Sequence, residues 1–385
     1  MDKTIGEVLH ELMDFEPATD EWEQAGFDRE MLADPSLEYQ LNRLTKQELD
    51  QIRQYLQVKR ASSLRKQELA TVLAQAIKLK APLMLRVIDE ITYDYLLELV
   101  ENRGLLRKAN EVFLGTLLFL QQAGLAFTGE MSGVGPVLVM PREVMDVLAP
   151  LLRQDNARQL ARETQKGLMA MRGLLAHYGI LEATQVSQVL QGMGYEVPSE
   201  RFAGMVFGAG LANGYFDLHQ GYLTDKRLVE RQSLIEEQAG RTQIGYYPLS
   251  LKKAIAMGEQ LYLDWTEEHR DLFDYLQDEG GLDDEEISEA VAFLLFAMNN
   301  RLASPMLLSE LARMGVPVGG YREAAEILTL VEAARRKTRL WGTKGYTPLE
   351  AEELERRPRL QVLVNDSDRS RPKLGKGKDS SQSRD

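Results

Sequence analysis

Residues 44–80 read LTKQELDQIRQYLQVKRASSLRKQELATVLAQAIKLK, and in this stretch charge, periodicity and turn chemistry together indicate an activity. It opens with a capping box, because the Thr45 hydroxyl can accept the amide of Glu48 while the Glu48 carboxylate reaches back to Thr45. Leucine, isoleucine and valine recur at helical spacing on both sides of the polar residues 58–63. The pattern predicts two short amphipathic helices, with Ser62 or Ser63 available to start the second.

The stretch is basic within an acidic chain. From residue 43 to residue 80, nine Lys and Arg residues face three acids, so the segment carries +6 in a chain of formal charge −13. Four of these cations, Lys59, Arg60, Arg65 and Lys66, cluster at the turn and at the start of the second helix. Cations in the first turn of a helix oppose its dipole by roughly 0.3–1 kcal/mol each, which favours an external polyanion as their partner. The alternative is a solvated basic face on a small module.

The basic stretch predicts a weak and salt-sensitive interaction with RNA or DNA. Neutralising four phosphates would cost about a hundredfold in affinity between roughly 50 and 200 mM salt. Tyr55 offers a ring for base stacking, which contributes about 1–3 kcal/mol per base, although it could belong to the core instead. The predicted nucleic-acid-binding residues are Lys46, Arg53, Tyr55, Lys59, Arg60, Arg65 and Lys66, with Lys46 and Arg53 at the rim.

The order L-T-K-x-E-L-x-x-I, then L-x-V-K, then S-x-L-R-K-x-E-L resembles the small helical N-terminal subdomain of transcription termination factor Rho. That subdomain is similar to the SAP helix–extended loop–helix unit. The resemblance covers about a tenth of the chain. It implies a non-enzymatic nucleic-acid-binding protein of the bacterial cytoplasm, with a possible link to transcription. Family members usually carry glycine in the turn, where this chain has Gln57 and Arg60, and no strand-rich barrel of the kind found in Rho follows.

Composition narrows the class of protein. The chain has 385 residues, 44% hydrophobic and 27% charged, so it can bury several cores and stay in solution. It has no cysteine, which excludes disulfides, thiolate nucleophiles and zinc–thiolate sites. No run approaches the roughly 18 apolar residues of a membrane span, and no apolar signal region follows the first charges. We therefore expect a cytoplasmic protein with no membrane partner.

The chain as a whole is predicted to be mainly α and multidomain. In residues 83–155, helices followed by a strand–turn–strand pattern resemble a winged-helix domain, but residues 111–140 contain no Lys or Arg, so protein binding or a structural role is favoured there. Gly179-Ile180-Leu181 echoes Gly104-Leu105-Leu106 and predicts a second such unit. The predicted segments are an acidic arm (1–40), the Rho-N/SAP-like module (41–82), a winged-helix-like domain (83–155), a second winged-helix-like or helical domain (156–232), a helical domain (233–357) and a disordered basic tail (358–385).

Two features of the helical C-terminal region indicate protein contacts. Residues 259–289 hold thirteen acids against Arg270 alone, an acidic surface suited to a basic protein partner. Residues 337–350 resemble the N-T-x-x-W-x-x-x-G-x-T-P-x-E stretch of uncharacterised bacterial proteins that end in a zinc motif of the SecA-tail type, although the zinc motif is absent here. Local chemistry explains part of that match, because Thr347, Pro348 and Glu350 form a helix start. Trp341 is predicted to fill a groove between helices.

No catalytic constellation is predicted. The four histidines are scattered, with no H-E-x-x-H pair and no G-x-S-x-G elbow. His269 lies among acidic residues, but these spread around a helix and do not form a metal-ligand set. We predict no enzyme, no metal and no cofactor. The alternative function is a protein–protein interaction scaffold in which the basic module docks on an acidic protein surface.

Overall fold

The computed structural model describes residues 27, 29–32, 35–211, 213–260, 265–278 and 281–356. Within these ranges the fold is mainly α, with sixteen α-helices and two small three-stranded antiparallel sheets, which confirms the predicted fold class. None of the described helices is both long and apolar enough to cross a membrane. The predicted basic tail and most of the predicted acidic arm lie outside the described residues.

The basic stretch forms two helices, as its periodicity predicts. The Thr45–Glu48 capping box is present, with the Thr45 amide donating to Glu48 over 2.6 Å. The prediction that Ser62 or Ser63 starts the second helix is wrong. That helix begins at Lys66, because Glu68 accepts the Arg65 amide at 2.9 Å while buried Ala61 keeps the two serines in the turn. The first three helices are α1 (Leu37–Arg43), α2 (Lys46–Tyr55) and α3 (Lys66–Met84).

The unit that follows has the element order of a winged helix. Its first strand pairs with its third and the third with its second, and all neighbours are antiparallel. The elements are α4 (Glu90–Glu101), β1 (Leu105–Arg107), a 3₁₀ turn (Ala109–Glu111), α5 (Leu114–Gln122), β2 (Phe127–Met131), β3 (Gly135–Val139) and α6 (Arg142–Leu152).

The basic helices and this first unit share one hydrophobic core. That core runs from Met31 to Ala161 and includes Leu49 and Ile52 of α2 together with Leu120 and Leu138 of the winged unit. The boundary predicted between residues 82 and 83 falls inside α3. Residues 41–82 therefore fold as part of a larger body.

The second unit repeats the architecture of the first. Its sheet has the same order, first strand to third and third to second, and Gly179 enters its first strand with a positive φ as Gly104 does in the first unit. Most of its buried apolar residues form a second core. The elements are α7 (Ala157–Tyr178), β4 (Ile180–Glu182), α8 (Ala183–Gly192), α9 (Ser199–Met205), a π turn (Val206–Gly210), β5 (Asp217–His219) and β6 (Tyr222–Thr224).

The C-terminal region is helical, and its first part packs on the second unit. Helix α7 and the helix Leu251–Glu259 approach so closely that a Cβ at Gly173 would collide with the Ala254 carbonyl, and one at Gly258 with the Met169 carbonyl. A third core joins the later helices. The elements are α10 (Arg231–Gly240), α11 (Leu251–Glu259), α12 (Glu267–Asp278), α13 (Asp284–Asn299), α14 (Ser304–Arg313), α15 (Tyr321–Lys337) and α16 (Pro348–Arg356).

Candidate nucleic-acid interface

The turn between α2 and α3 is left-handed at two positions that carry side chains. Gln57 has a φ of 50° and Arg60 a φ of 60°, values that glycine adopts most readily. Two hydrogen bonds stabilise the turn. The Val58 amide donates to the Arg53 carbonyl over 2.9 Å, and the Lys80 ammonium donates to the Leu56 carbonyl. Burial lowers the pKa of Lys80. The chain thus forms a tight left-handed turn without glycine, the residue that adopts positive φ at the lowest steric cost.

Four of the predicted residues form an exposed group, here named the basic loop: Lys59, Arg60, Arg65 and Lys66. Arg65 is the N-cap of α3 and Lys66 its first residue, so the cations surround the positive end of that helix. Among the described residues, no carboxylate forms an ion pair with Arg60, Arg65 or Lys66. The basic loop is therefore open to an external anion.

The two predicted rim residues are already paired. Asp50 accepts from Arg53 Nε at 2.8 Å and lies 3.2 Å from Lys46 Nζ. Lys46 also donates to the Ser62 carbonyl over 3.5 Å, and the Arg53 side chain is only 18% exposed. Both cations stabilise α2 and the turn. Because Asp50 already neutralises part of their charge, they would attract a phosphate less strongly.

Tyr55 faces the core. Its ring packs edge-on against Phe119, with centroids 6.2 Å apart. Its hydroxyl lies 3.7 Å from the place that a Cβ would take at Gly208, in the second unit. Burial raises its pKa above the usual range. Of the two interpretations of Tyr55, the core one agrees with the structure, and the ring is not positioned for base stacking.

Most of α5 in the first winged unit is buried, and so is the segment that continues the third helix of the second. In α5 the residues Thr116, Leu117, Phe119 and Leu120 are all inaccessible, and in the second unit the π turn that continues α9 is buried throughout. These two segments contact one another, with Phe119 in van der Waals range of Gly208. Neither of these two segments is free to enter a DNA groove, which is the usual role of a third helix in such domains.

A buried polar network crosses the same contact. Asp89, at the N-cap of α4, accepts hydrogen bonds from Asn213 Nδ2 at 2.5 Å and from the Tyr215 hydroxyl at 3.0 Å. Asn213 in turn accepts from the Thr116 hydroxyl at 3.0 Å. Burial and the adjoining Asp89 raise the pKa of Tyr215. No short motif marks this network, because its members are far apart in sequence.

The W-x-x-x-G-x-T-P-x-E stretch connects the C-terminal helices with helix α7 of the second unit. Trp341 is 1% exposed, which confirms that it fills a groove, and its Nε1 donates to the Ala176 carbonyl over 2.9 Å. Gly345 has a φ of 81°, and a Cβ there would lie 2.5 Å from His177 Nε2. The predicted capping box is present, with Glu350 accepting from the Thr347 amide at 2.9 Å. Each of these matched residues thus has a structural role.

His269, the histidine among the acidic residues of α12, is held by hydrogen bonds at both ring nitrogens. Its Nε2 lies 2.9 Å from the Thr338 hydroxyl and its Nδ1 accepts from the Thr266 amide at 3.2 Å. Across the described ranges, no group of three or more His, Asp or Glu side chains is arranged to hold a metal ion. His269 therefore fixes the start of α12 against residue 338.

No protein-family model, curated protein or solved structure matches this chain.

Proposed function

We propose that this chain binds single- or double-stranded nucleic acid through phosphate contacts of the basic loop. The observation that supports the proposal is the exposure of Arg60, Arg65 and Lys66, none of which is ion-paired with a described carboxylate. They surround the N-terminal end of the 19-residue helix α3, whose dipole and first amides favour an anion at the same point.

The basic loop has a limited charge. Glu68 lies in the first turn of α3 and accepts the Arg65 amide, so it offsets one of the four cations. Lys46 and Arg53 are engaged by Asp50 and contribute little further. About four phosphate contacts support weak binding with little sequence preference, because the Tyr55 ring is packed in the core and is not accessible for base stacking. The link to transcription rests on the resemblance to the Rho subdomain alone.

Fluorescence anisotropy with labelled single-stranded RNA, single-stranded DNA and duplex DNA tests the proposal. We expect binding at about 50 mM salt that weakens about a hundredfold by roughly 200 mM, because each of about four phosphates releases its counterions. The variant Lys59→Ala/Arg60→Ala/Arg65→Ala/Lys66→Ala should lose this binding.

A control variant with the same change in net charge distinguishes the effect of the basic loop from the effect of the overall charge. Lys166, Lys252, Arg153 and Arg322 are exposed cations outside the loop, and replacing all four by alanine should leave binding nearly unchanged. Equal loss in both variants, or no binding by the intact chain at low salt, would contradict the proposal.

A second candidate function is a protein–protein scaffold, and one observation favours it. Val72, Leu79 and Leu83 lie on one face of α3 at spacings of seven and four residues, and all are exposed, Leu79 at 77%. An apolar stripe behind a basic end suits a partner with an acidic, partly apolar surface. Anisotropy with labelled poly-L-glutamate distinguishes the two functions. Binding to polyglutamate as tight as to RNA would favour the scaffold, and selective binding to nucleic acid would favour the first proposal.

A further inference from the structure

A second basic surface lines a cleft between the second winged unit and the C-terminal helices. The cleft has a volume of about 280 Å³, and its walls come from α7, the loop after β6, α11, α13 and residues 337–339. Among the residues that the structure describes, its charged lining consists of Arg172, Lys226, Arg227, Lys253, Lys337, Arg339 and Asp225. Six cations and one acid thus converge in a protein whose formal charge is −13.

Three of the cations form ion pairs with carboxylates. Arg227 binds both carboxylate oxygens of Asp225 at 2.8 Å. Lys337 lies 3.4 Å from Glu268. Arg339 binds Glu350 at 2.8 Å, and its guanidinium lies 3.7 Å from the ring centroid of Tyr247. These three pairs are locally neutral, so the charge of the cleft depends on its other cations.

Arg172 and Lys226 have a different environment. Both are exposed, and no carboxylate in the described ranges pairs with either. The Arg172 guanidinium lies 5.9 Å from the Tyr215 ring centroid, and Tyr215 is itself fixed by the buried Asp89. The Lys226 ammonium lies beside Gly214, where a Cβ would be 2.7 Å away. Two cations from separate elements therefore line the same cleft, and neither pairs with a carboxylate in the described ranges.

The charge and the size of the cleft together define its ligand. Among the described residues, Asp225, Glu268 and Glu350 pair with three of the cations, and Arg172 and Lys226 remain without a carboxylate. A concave basic site in an acidic protein concentrates anions locally. Its volume is near the lower end of ligand pockets, about 300 Å³, which excludes a folded partner from the interior. Several cations from different directions fit the spread oxygens of a phosphate or pyrophosphate better than a single carboxylate, which one Arg fork satisfies.

We propose that this cleft binds a phosphate group of a small phosphorylated molecule, with Arg172 and Lys226 as its direct contacts. The inference is independent of the basic loop, because the two surfaces share no residue.

Isothermal titration calorimetry with inorganic pyrophosphate and with a nucleoside monophosphate tests the inference on the intact chain. We expect saturable binding that weakens about tenfold or more in Arg172→Ala/Lys226→Ala, the loss typical of charged hydrogen-bond partners. The charge-matched variant Lys252→Ala/Arg322→Ala removes two cations outside the cleft lining and should bind as the wild type does.

A second measurement does not depend on any variant. Pyrophosphate should protect Lys226 from acetylation, read by mass spectrometry, while Lys252 reacts at an unchanged rate. The proposal is overturned if no binding is detected, if both double variants weaken binding equally, or if Lys226 is not protected. A 5′-phosphorylated oligonucleotide compared with its 5′-hydroxyl form shows whether the phosphate can also come from a nucleic-acid end, which would retain the phosphate chemistry of the site.

Discussion

Asp89 shows how single residues connect the two winged units. Its carboxylate is fully buried, and two of its hydrogen-bond donors, Asn213 and Tyr215, belong to the second unit. A third donor, the Thr92 amide, comes from its own helix at 2.9 Å. A buried carboxylate is tolerated only while such donors are present. The contact between the units therefore depends on polar groups as much as on the apolar rings beside them.

Asn213→Ala should lower the free energy of unfolding by about 1–3 kcal/mol, because it leaves a buried oxygen of Asp89 without its closest donor. Urea denaturation measures the change. Asn110→Ala, at an exposed position, is the control and should change stability by less than about 0.5 kcal/mol. Equal effects of the two substitutions would contradict this account of Asp89.

Glu90 links α4 to α7 and predicts a pH dependence. Hydrogen bonds from Arg162, at 2.8 Å, and from Arg158 lower its pKa from the usual value. Because the folded pKa is depressed, its stabilisation is present above the unfolded pKa of about 4.3 and is lost as the pH falls through the folded pKa.

Glu90→Gln should therefore cost about 0.2–1 kcal/mol at pH 7, the range of a solvent-exposed ion pair, and the difference from wild type should shrink at pH 4. Urea denaturation at pH 7, 5 and 4 measures it. Glu101→Gln, on the same helix and not ion-paired within the described ranges, should show no such trend. A constant difference between wild type and Glu90→Gln across these pH values would contradict the assignment.

At the scale of elements, the turn between α2 and α3 carries strain. Gln57 adopts the left-handed region, which costs an L-residue roughly 1–2 kcal/mol, while glycine loses about 0.5–1 kcal/mol more entropy on folding. Gln57→Gly should therefore stabilise the protein by up to about 1 kcal/mol in thermal or urea unfolding. The same change at Gln75, an exposed helical position of α3, should destabilise it by about 1 kcal/mol. Destabilisation by both would show that the turn is not strained.

Elements that are set by interactions between residues close in sequence were predictable, and those that are set by tertiary contacts were not. The capping boxes at Thr45, Asp283 and Thr347 form because both partners lie within three residues. The wing strands followed from short-range pattern and turn chemistry. The start of α3 was misplaced because buried Ala61, a tertiary contact, decides where the serines lie.

The candidate sites divide in the same way. The exposure of Arg60, Arg65 and Lys66 was predictable, since all three lie in one polar turn and helix start. The core position of Tyr55 depends on Phe119 and Gly208, which periodicity within α2 cannot reveal. The cleft was missed because Arg172, Lys226 and Arg339 come from three distant segments, and no local charge cluster marks them.

At the scale of the whole molecule, Trp341 joins the C-terminal helices to the second unit. Its amide donates to Asn299 Oδ1 over 2.9 Å, its carbonyl accepts from Gln238 at 2.9 Å, and its indole reaches α7. Trp341→Ala should cost about 3–5 kcal/mol and separate calorimetric unfolding into two transitions, because the third core loses its attachment.

Trp265 provides the matched control. It is 47% exposed, so Trp265→Ala should lower the melting temperature less and keep the number of transitions unchanged. A single transition at the wild-type temperature in Trp341→Ala would show that the joint lies elsewhere.

The hydrogen bonds of Asp89 also set an order of events during synthesis. Asn213 follows Asp89 by 124 residues, which a ribosome adding about 5–20 residues per second needs roughly 6–25 s to translate. Over that interval the nascent first unit presents to solvent the Tyr55 and Phe119 face and an Asp89 carboxylate that lacks its two donors from the second unit. Messages truncated before codon 213 would yield a polypeptide with this face permanently uncovered, and so a ready target for chaperones and proteases.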